Sequence, residues 1–229
     1  MKAVLFDLDG TLIDTAADFI RIIQDMCREK GVAVVDADLI RSQVSEGARA
    51  MVKLVYPELE VEDPVFLAHR QRFLDIYGAD IAVDTDLFSG MYPLLEKLEN
   101  QEIPWGIVTN KPRYLAEQLL DKMQLRERCA ALVCPEDVSR PKPDPEPMYM
   151  ALEKLSIPRG AAGSVLYVGD HIRDIEAGNA AGMPTILAAY GYIPPEDQKN
   201  LKKWGANYIV ETPKQLNELL LTSGKFEYL

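Results

Sequence analysis

Ala3–Phe6 is an apolar run that stops abruptly at Asp7, as a buried parallel strand does on reaching the edge of its sheet. The alternation of short apolar runs with helical patterns that such a strand requires does not resume until Phe88. The stretch between, about 70 residues, reads as helical throughout and is too long for a simple crossover. It is expected to be a helical cap inserted after the first strand, with residues 1–14 and 85–229 forming an α/β core and 15–84 the cap domain. A chain of 229 residues has room for both.

Inside the cap stretch, Ala16, Phe19, Ile20, Ile23, Met26 and Cys27 recur at helical spacing, and Gly31 ends the pattern. A second helix is predicted over 38–45, capped by Asp36 or Asp38. A third starts near Gly47 and turns Ala48, Met51, Val52 and Val55 inward, and a fourth covers 64–77 with His69 as a surface or packing residue. The joint Ser45-Glu46-Gly47-Ala48-Arg49 offers backbone N–H groups and one cation to an anion. Its plainer alternative is an inter-helix turn with Arg49 at the surface.

Beyond Phe88, strands are predicted over 105–109, 131–134, 164–168, 185–188 and 208–210, interleaved with helices over 90–101, 115–123, 145–155, 174–181 and 216–221. The tail after Thr222 reads as loosely held. In an open parallel sheet the C-terminal strand ends face one crevice, and here four of them carry chemistry. The first supplies Asp7 and Asp9, which point to one side while the backbone stays extended, followed by Gly10 as a turn residue. Thr11 and Asp14 can serve the start of the next helix. Thr109, Asn110 and Lys111 follow the second strand, Lys142 the third, and Asp170 and Asp174 the fourth.

Carboxylates crowded at such an edge repel unless a cation or shared proton intervenes, which points to a hard metal such as Mg²⁺. Asp7 can accept a phosphoryl group and release it, dividing one hard displacement into two. Lys142 would offset the charge of Asp7 and the phosphate, and Thr109 would orient phosphoryl oxygens. Asp170 would complete an oxygen-rich metal site with Asp7, Asp174 would hold that site in place, and Asp9 would serve as proton donor and then base. Each residue alone has a structural alternative: a solvated turn, a strand end, a proline-rich surface loop around Lys142, a helix cap. Their joint order at these strand ends favours the site. His171 is expected to be exposed beside it.

The net charge of −11 argues against nucleic-acid and anionic-membrane partners, which need a basic surface. No apolar run approaches the ~20 residues needed to span a bilayer. An anionic small-molecule substrate must therefore be drawn in locally, by a metal and a few basic side chains. Cys27, Cys129 and Cys134 show neither disulfide nor zinc-ligand spacing and read as buried thiols. With only a four-residue apolar run after Lys2, no signal peptide is read, and a cytoplasmic monomer or homodimer is expected.

The segments Asp7-Leu8-Asp9-Gly10-Thr11, the strand ending at Thr109, Lys142-Pro143 and Gly169-Asp170-His171-Ile172-Arg173-Asp174 together resemble the four motifs of the haloacid dehalogenase superfamily of aspartyl phosphatases. The resemblance implies a Rossmann-like core, a cap after the first strand, Mg²⁺ dependence and a phosphoaspartyl intermediate on Asp7. It also implies metal ligation by the Asp7 and Asp170 side chains and the Asp9 backbone carbonyl, with Asp174 in support. Gly47 to Met51, Val108 to Pro112, Lys142 to Pro147 and Tyr190 to Ile193 are most similar to the phosphoglycolate phosphatase branch, with the N-acetylmuramic acid 6-phosphate phosphatases of cell-wall recycling. Both substrates carry a carboxylate that Arg49 could pair with, Lys111 or Arg113 being alternatives. A phosphomutase, a phospho-accepting signalling module and a dehalogenase are the competing readings.

Overall fold

The computed structural model describes residues 1–221 of the chain. The strand β1 (Ala3–Phe6) leads into a two-residue strand β2 (Ile13–Asp14) and then four helices, α1 (Ala16–Lys30), α2 (Ala37–Ser42), α3 (Ala48–Val55) and α4 (Pro64–Ala79). The chain returns through β3 (Asp86–Leu87), which pairs antiparallel with β2. There follow α5 (Met91–Asn100), β4 (Trp105–Val108), α6 (Arg113–Lys122), β5 (Ala131–Val133), α7 (Glu146–Lys154), β6 (Val165–Gly169), α8 (Ile172–Ala180), β7 (Thr185–Ala188), β8 (Tyr208–Val210) and α9 (Pro213–Leu221). The expectation for the tail after Thr222 lies outside the described residues.

Six strands form one parallel sheet in the order β5-β4-β1-β6-β7-β8, with Val4 of β1 opposite both Trp105 and Leu166. This is the parallel α/β architecture that the alternating runs called for. The strand order reverses at β1, so its C-terminal end opens on a topological switch point. Alternate residues of β1 serve opposite faces: Ala3 and Leu5 pack with Met148, Leu152 and Ala177 of α7 and α8, whereas Val4 and Phe6 pack with α5, α6 and α9. The second cluster continues without a break into Phe19, Phe66, Phe73 and Tyr77 of α1 and α4.

Local chemistry sets the helix ends. Asp36 accepts from the N–H groups of Asp38 and Leu39 at the start of α2, Asp63 caps α4 with Pro64 in its first turn, and Gly31 closes α1 at φ 75°. The second helix stops at Ser42 rather than 45, and Val44–Glu46 forms a separate 3-10 turn. Entry into α1 is held by Tyr192, whose hydroxyl accepts from the N–H groups of Thr15 (2.7 Å) and Ala16 (3.0 Å) and donates to Asp14 (2.8 Å). Asp14 also takes a two-pronged bond from Arg41, at 3.1 and 2.8 Å. Buried Asp18 accepts from Thr85 Oγ1 (2.7 Å) and the Asp84 N–H (3.1 Å), fastening the exit segment to α1. Among the described residues no helix is long and apolar enough to cross a membrane. All three cysteines are free; Cys27 and Cys134 are buried and Cys129 partly so.

Candidate active site

The ends of β1, β4 and β6 bring the expected residues together around Lys142. Its buried ammonium lies 3.0 Å from Asp7 Oδ1 and 2.6 Å from Asp174 Oδ1, and donates to the Val108 carbonyl and the Tyr167 hydroxyl, each at 2.8 Å. Asp174 is committed in full: Oδ1 faces Lys142 and Tyr167, and Oδ2 accepts from the His171 N–H at 3.0 Å. Asp170 accepts from Thr11 Oγ1 (3.2 Å), Ser45 Oγ (2.7 Å) and the Tyr192 N–H (2.9 Å). Gly10 permits this approach, since a Cβ there would come within 2.1 Å of Asp170 Oδ2, and its φ of +79° suits glycine. Thr11 thus serves Asp170 rather than the start of α1. Asp7 Oδ1 is buried without an aligned hydrogen-bond donor.

Asp9 turns toward the helical block, accepting from Thr15 Oγ1 (2.7 Å) and from Lys111 Nζ (3.0 Å). Thr109 Oγ1 accepts from the Lys111 N–H at 3.1 Å, and Asn110 Nδ2 donates to the Lys142 carbonyl at 3.0 Å. A cavity of about 450 Å³ opens over Asp7, Asp9, Thr109, Asn110 and Lys111, roofed by Phe19, Phe73, Leu74 and Tyr77. A wider groove of about 1030 Å³, against β8 and α9, carries none of these residues. Two arms of the helical block reach the core edge: Ser45 to Asp170, and Glu46 Oε1 to His171 Nε2 at 2.9 Å. His171 is therefore buried, 8% exposed, contrary to its expected exposure. Arg49 does not line the cavity; its side chain is 57% exposed and lies 3.8 Å from Glu62. Arg70 of α4 lines it instead.

The model of the family Haloacid dehalogenase-like hydrolase matches residues 4–188. The chain belongs to that family. It is 46% identical over 220 residues to an N-acetylmuramic acid 6-phosphate phosphatase of Pseudomonas putida, covering 96% of each chain. It is 38% identical over 217 residues to a phosphoglycolate phosphatase of Xanthomonas campestris, covering 95% of each. A crystal structure described as a predicted phosphoglycolate phosphatase from Haemophilus somnus superposes with a TM-score of 0.80 at 22% identity, over 96% of each chain, a likeness that speaks to the fold.

In this haloacid dehalogenase-like hydrolase the edge carboxylates are short of positive charge. Burial above all pushes the Asp7 carboxyl above its ordinary range, with Asp174 adding to the rise and Lys142 opposing it. Burial, then Asp7 and Asp174, pushes Asp170 up to about 7. Burial works against ionised Asp174 as well, yet Lys142 holds it below the usual range. Burial likewise opposes a charged Lys142, but Asp174 and Asp7 hold its ammonium above the ordinary lysine value. Carboxylate oxygens of Asp7, Asp170 and Asp174 all lie within 4.8 Å of one another, and one lysine cannot neutralise three acids. An all-oxygen donor set of three carboxylates with a single ammonium among them fits a divalent hard cation.

Arg70 reaches the site without a signal in the sequence, and Ser45 belongs to a joint marked for its backbone N–H groups and Arg49 rather than for the hydroxyl that binds Asp170. The Tyr190 to Ile193 segment drew attention only through family likeness; its role is the Tyr192 N–H on Asp170 and the Tyr192 hydroxyl on the start of α1.

Proposed function

We propose that the chain is a Mg²⁺-dependent phosphomonoester hydrolase that works through a phosphoaspartyl intermediate on Asp7. The observation that carries this reading is Lys142 Nζ, 3.0 Å from Asp7 Oδ1 and fixed behind it by Asp174, Tyr167 and the Val108 carbonyl. An ammonium so held lets a carboxylate approach a phosphate dianion. Asp7 and Asp170, with the Asp9 carbonyl, would hold Mg²⁺, which supplies charge neutralisation to the phosphoryl oxygens. Asp174 keeps Lys142 and the backbone at His171 in position.

In the first transfer an Asp7 oxygen attacks phosphorus, the bond from phosphorus to the ester oxygen breaks, and Asp9 gives its proton to the departing alcohol. In the second, Asp9 takes a proton from water, the water oxygen attacks phosphorus, and the bond from Asp7 to phosphorus breaks, restoring the carboxylate and releasing phosphate. Thr109 and Asn110 line the cavity beside Asp7 and orient the transferring group. Residues 15–84 act as a cap: Ser45 and Glu46 bear on the core edge, and α4 roofs the cavity, excluding water during the first transfer.

The substrate is a small phosphorylated acid, N-acetylmuramic acid 6-phosphate or 2-phosphoglycolate, the compounds named in the relatives that match over nearly the whole chain. The test is release of phosphate from p-nitrophenyl phosphate by purified protein, abolished by a chelator and by Asp7→Asn. Full turnover in that variant would end the proposal.

A further inference from the structure

Unpartnered polar atoms concentrate in the cavity. Of the buried side-chain atoms without a hydrogen-bond partner, Asp7 Oδ1 and Asn110 Oδ1 lie at its phosphoryl end, and Arg70 Nε and the Tyr77 hydroxyl belong to its α4 wall. Buried polar groups are rarely left unpaired. Asp7 and Asn110 are accounted for by phosphoryl transfer, and Tyr77 has the Lys111 ammonium beside it, 4.4 Å from its ring centroid. Arg70 is not accounted for.

Arg70, Phe73, Leu74 and Tyr77 follow helical spacing and line the cavity as one face of α4. All but two of the chain's twelve arginines have a carboxylate within 4 Å or lie over an aromatic ring, and the two exceptions, Arg70 and Arg173, both line this cavity. Arg173 has anions nearby, since its charge helps to lower Glu46 and Asp174. Among the described residues no carboxylate lies within ion-pair distance of Arg70. In a chain of net charge −11, a cation without an acid, set over an apolar wall, is a place reserved for an anion.

The space also selects among anions. A cavity of about 450 Å³ would hold about fifteen waters at ~30 Å³ each, and a phosphorylated two-carbon acid displaces only part of that. Seven residues along a helix separate Arg70 from Tyr77 by ~10 Å, a span that suits a sugar ring rather than glycolate. Resting on the phosphatase reading, we infer that the Arg70 to Tyr77 face of α4 reads the far end of a carboxylated sugar phosphate. The Arg70 guanidinium grips the carboxylate, and Phe73, Leu74 and Tyr77 pack against the sugar ring.

The experiment compares kcat/KM for N-acetylmuramic acid 6-phosphate with that for N-acetylglucosamine 6-phosphate, which lacks the carboxylate. The ratio in favour of the first should fall about 10- to 100-fold in Arg70→Ala, mainly through KM, as for a lost charged hydrogen bond. Arg70→Lys, which keeps the charge but not the fork, should give an intermediate ratio and stands in if the alanine variant does not fold. Arg72→Ala, two residues on and paired with Glu29, should retain the wild-type ratio. A ratio within twofold of wild type in both Arg70 variants overturns the assignment. So does a larger loss in Arg70→Ala on a hexose bisphosphate than on the carboxylated sugar. Wild-type protein that hydrolyses p-nitrophenyl phosphate but shows no preference between the two sugars defeats this inference alone; inactivity on every phosphate ester defeats the function as well.

Discussion

Two groups of aspartates are treated in opposite ways, although Asp7 of one lies only a few residues from Asp14 of the other. At the joint between core and helical block, Asp14 and Asp18 are supplied with arginines, hydroxyls and backbone N–H groups, and Asp14 is held below the usual carboxylate range. At the sheet edge, Asp7 and Asp170 sit above that range, driven there first by burial and then by neighbouring carboxylates, Asp174 for Asp7 and both Asp7 and Asp174 for Asp170. The first group completes its own charge balance and serves the fold. The second leaves negative charge that a bound cation or a proton would relieve, as is common where carboxylates are kept for a site rather than for the fold.

The largest effect that could break this comparison is on turnover. Asp7→Asn should lower kcat on p-nitrophenyl phosphate by at least ~10⁴-fold, equivalent to about 5.5 kcal/mol of barrier. Its thermal midpoint without metal should stay at or above the wild-type value, because a buried, underneutralised charge is gone. A variant both active and destabilised would mean that Asp7 belongs with the structural aspartates.

Metal should then distinguish the two groups by stability. Mg²⁺ at a hundred times its Kd should stabilise the wild type by about 2.7 kcal/mol, read by thermal or urea unfolding. Asp170→Asn should abolish that response while melting no lower than the metal-free wild type. An unchanged response would take Asp170 out of the cation site.

The comparison was only half legible in the sequence. Strand ends announced Asp7, Thr109 and Asp170, because a short apolar run stopped by a polar residue marks a sheet edge at any distance from its neighbours, whereas Lys142 was reached only as a loop residue after the third strand. Helical spacing likewise gave the four helices between β2 and β3. What spacing does not carry is contact across the chain: Ser45 reaches Asp170 over 125 positions from a separate 3-10 turn, Val44–Glu46, where the second helix was expected to run on to 45. Arg49 stood out because it neighbours a glycine turn, whereas Arg70, inside an ordinary amphipathic helix, had nothing local to mark it. Two-residue strands such as β2 and β3 are too short to show a period at all.

Removing a member of the structural group should cost stability. Asp18→Ala leaves Thr85 Oγ1 and the Asp84 N–H without their acceptor and should destabilise by about 2 kcal/mol. For a chain of this size that is a fall of ~4–8 °C in Tm. A shift below 1 °C would show that the exit segment is held by other means.

The smallest effect concerns Asp14 and depends on sign. Burial tends to raise its carboxyl, but the bonds from Arg41 and Tyr192 outweigh burial, so its folded value lies below the ordinary 3.8. A lowered carboxyl contributes stability above its unfolded value and loses it as pH falls through the folded one, so the contribution should be complete near neutrality and fade below about pH 4. With both side chains about a third exposed, solvent screening limits it to ~1 kcal/mol at most. Arg41→Ala should therefore lower Tm slightly at pH 7 and converge with the wild type near pH 3. Curves that run parallel across that interval would show that Arg41 supports the joint by packing over the Tyr192 ring, 5.0 Å from its centroid, rather than by its charge on Asp14.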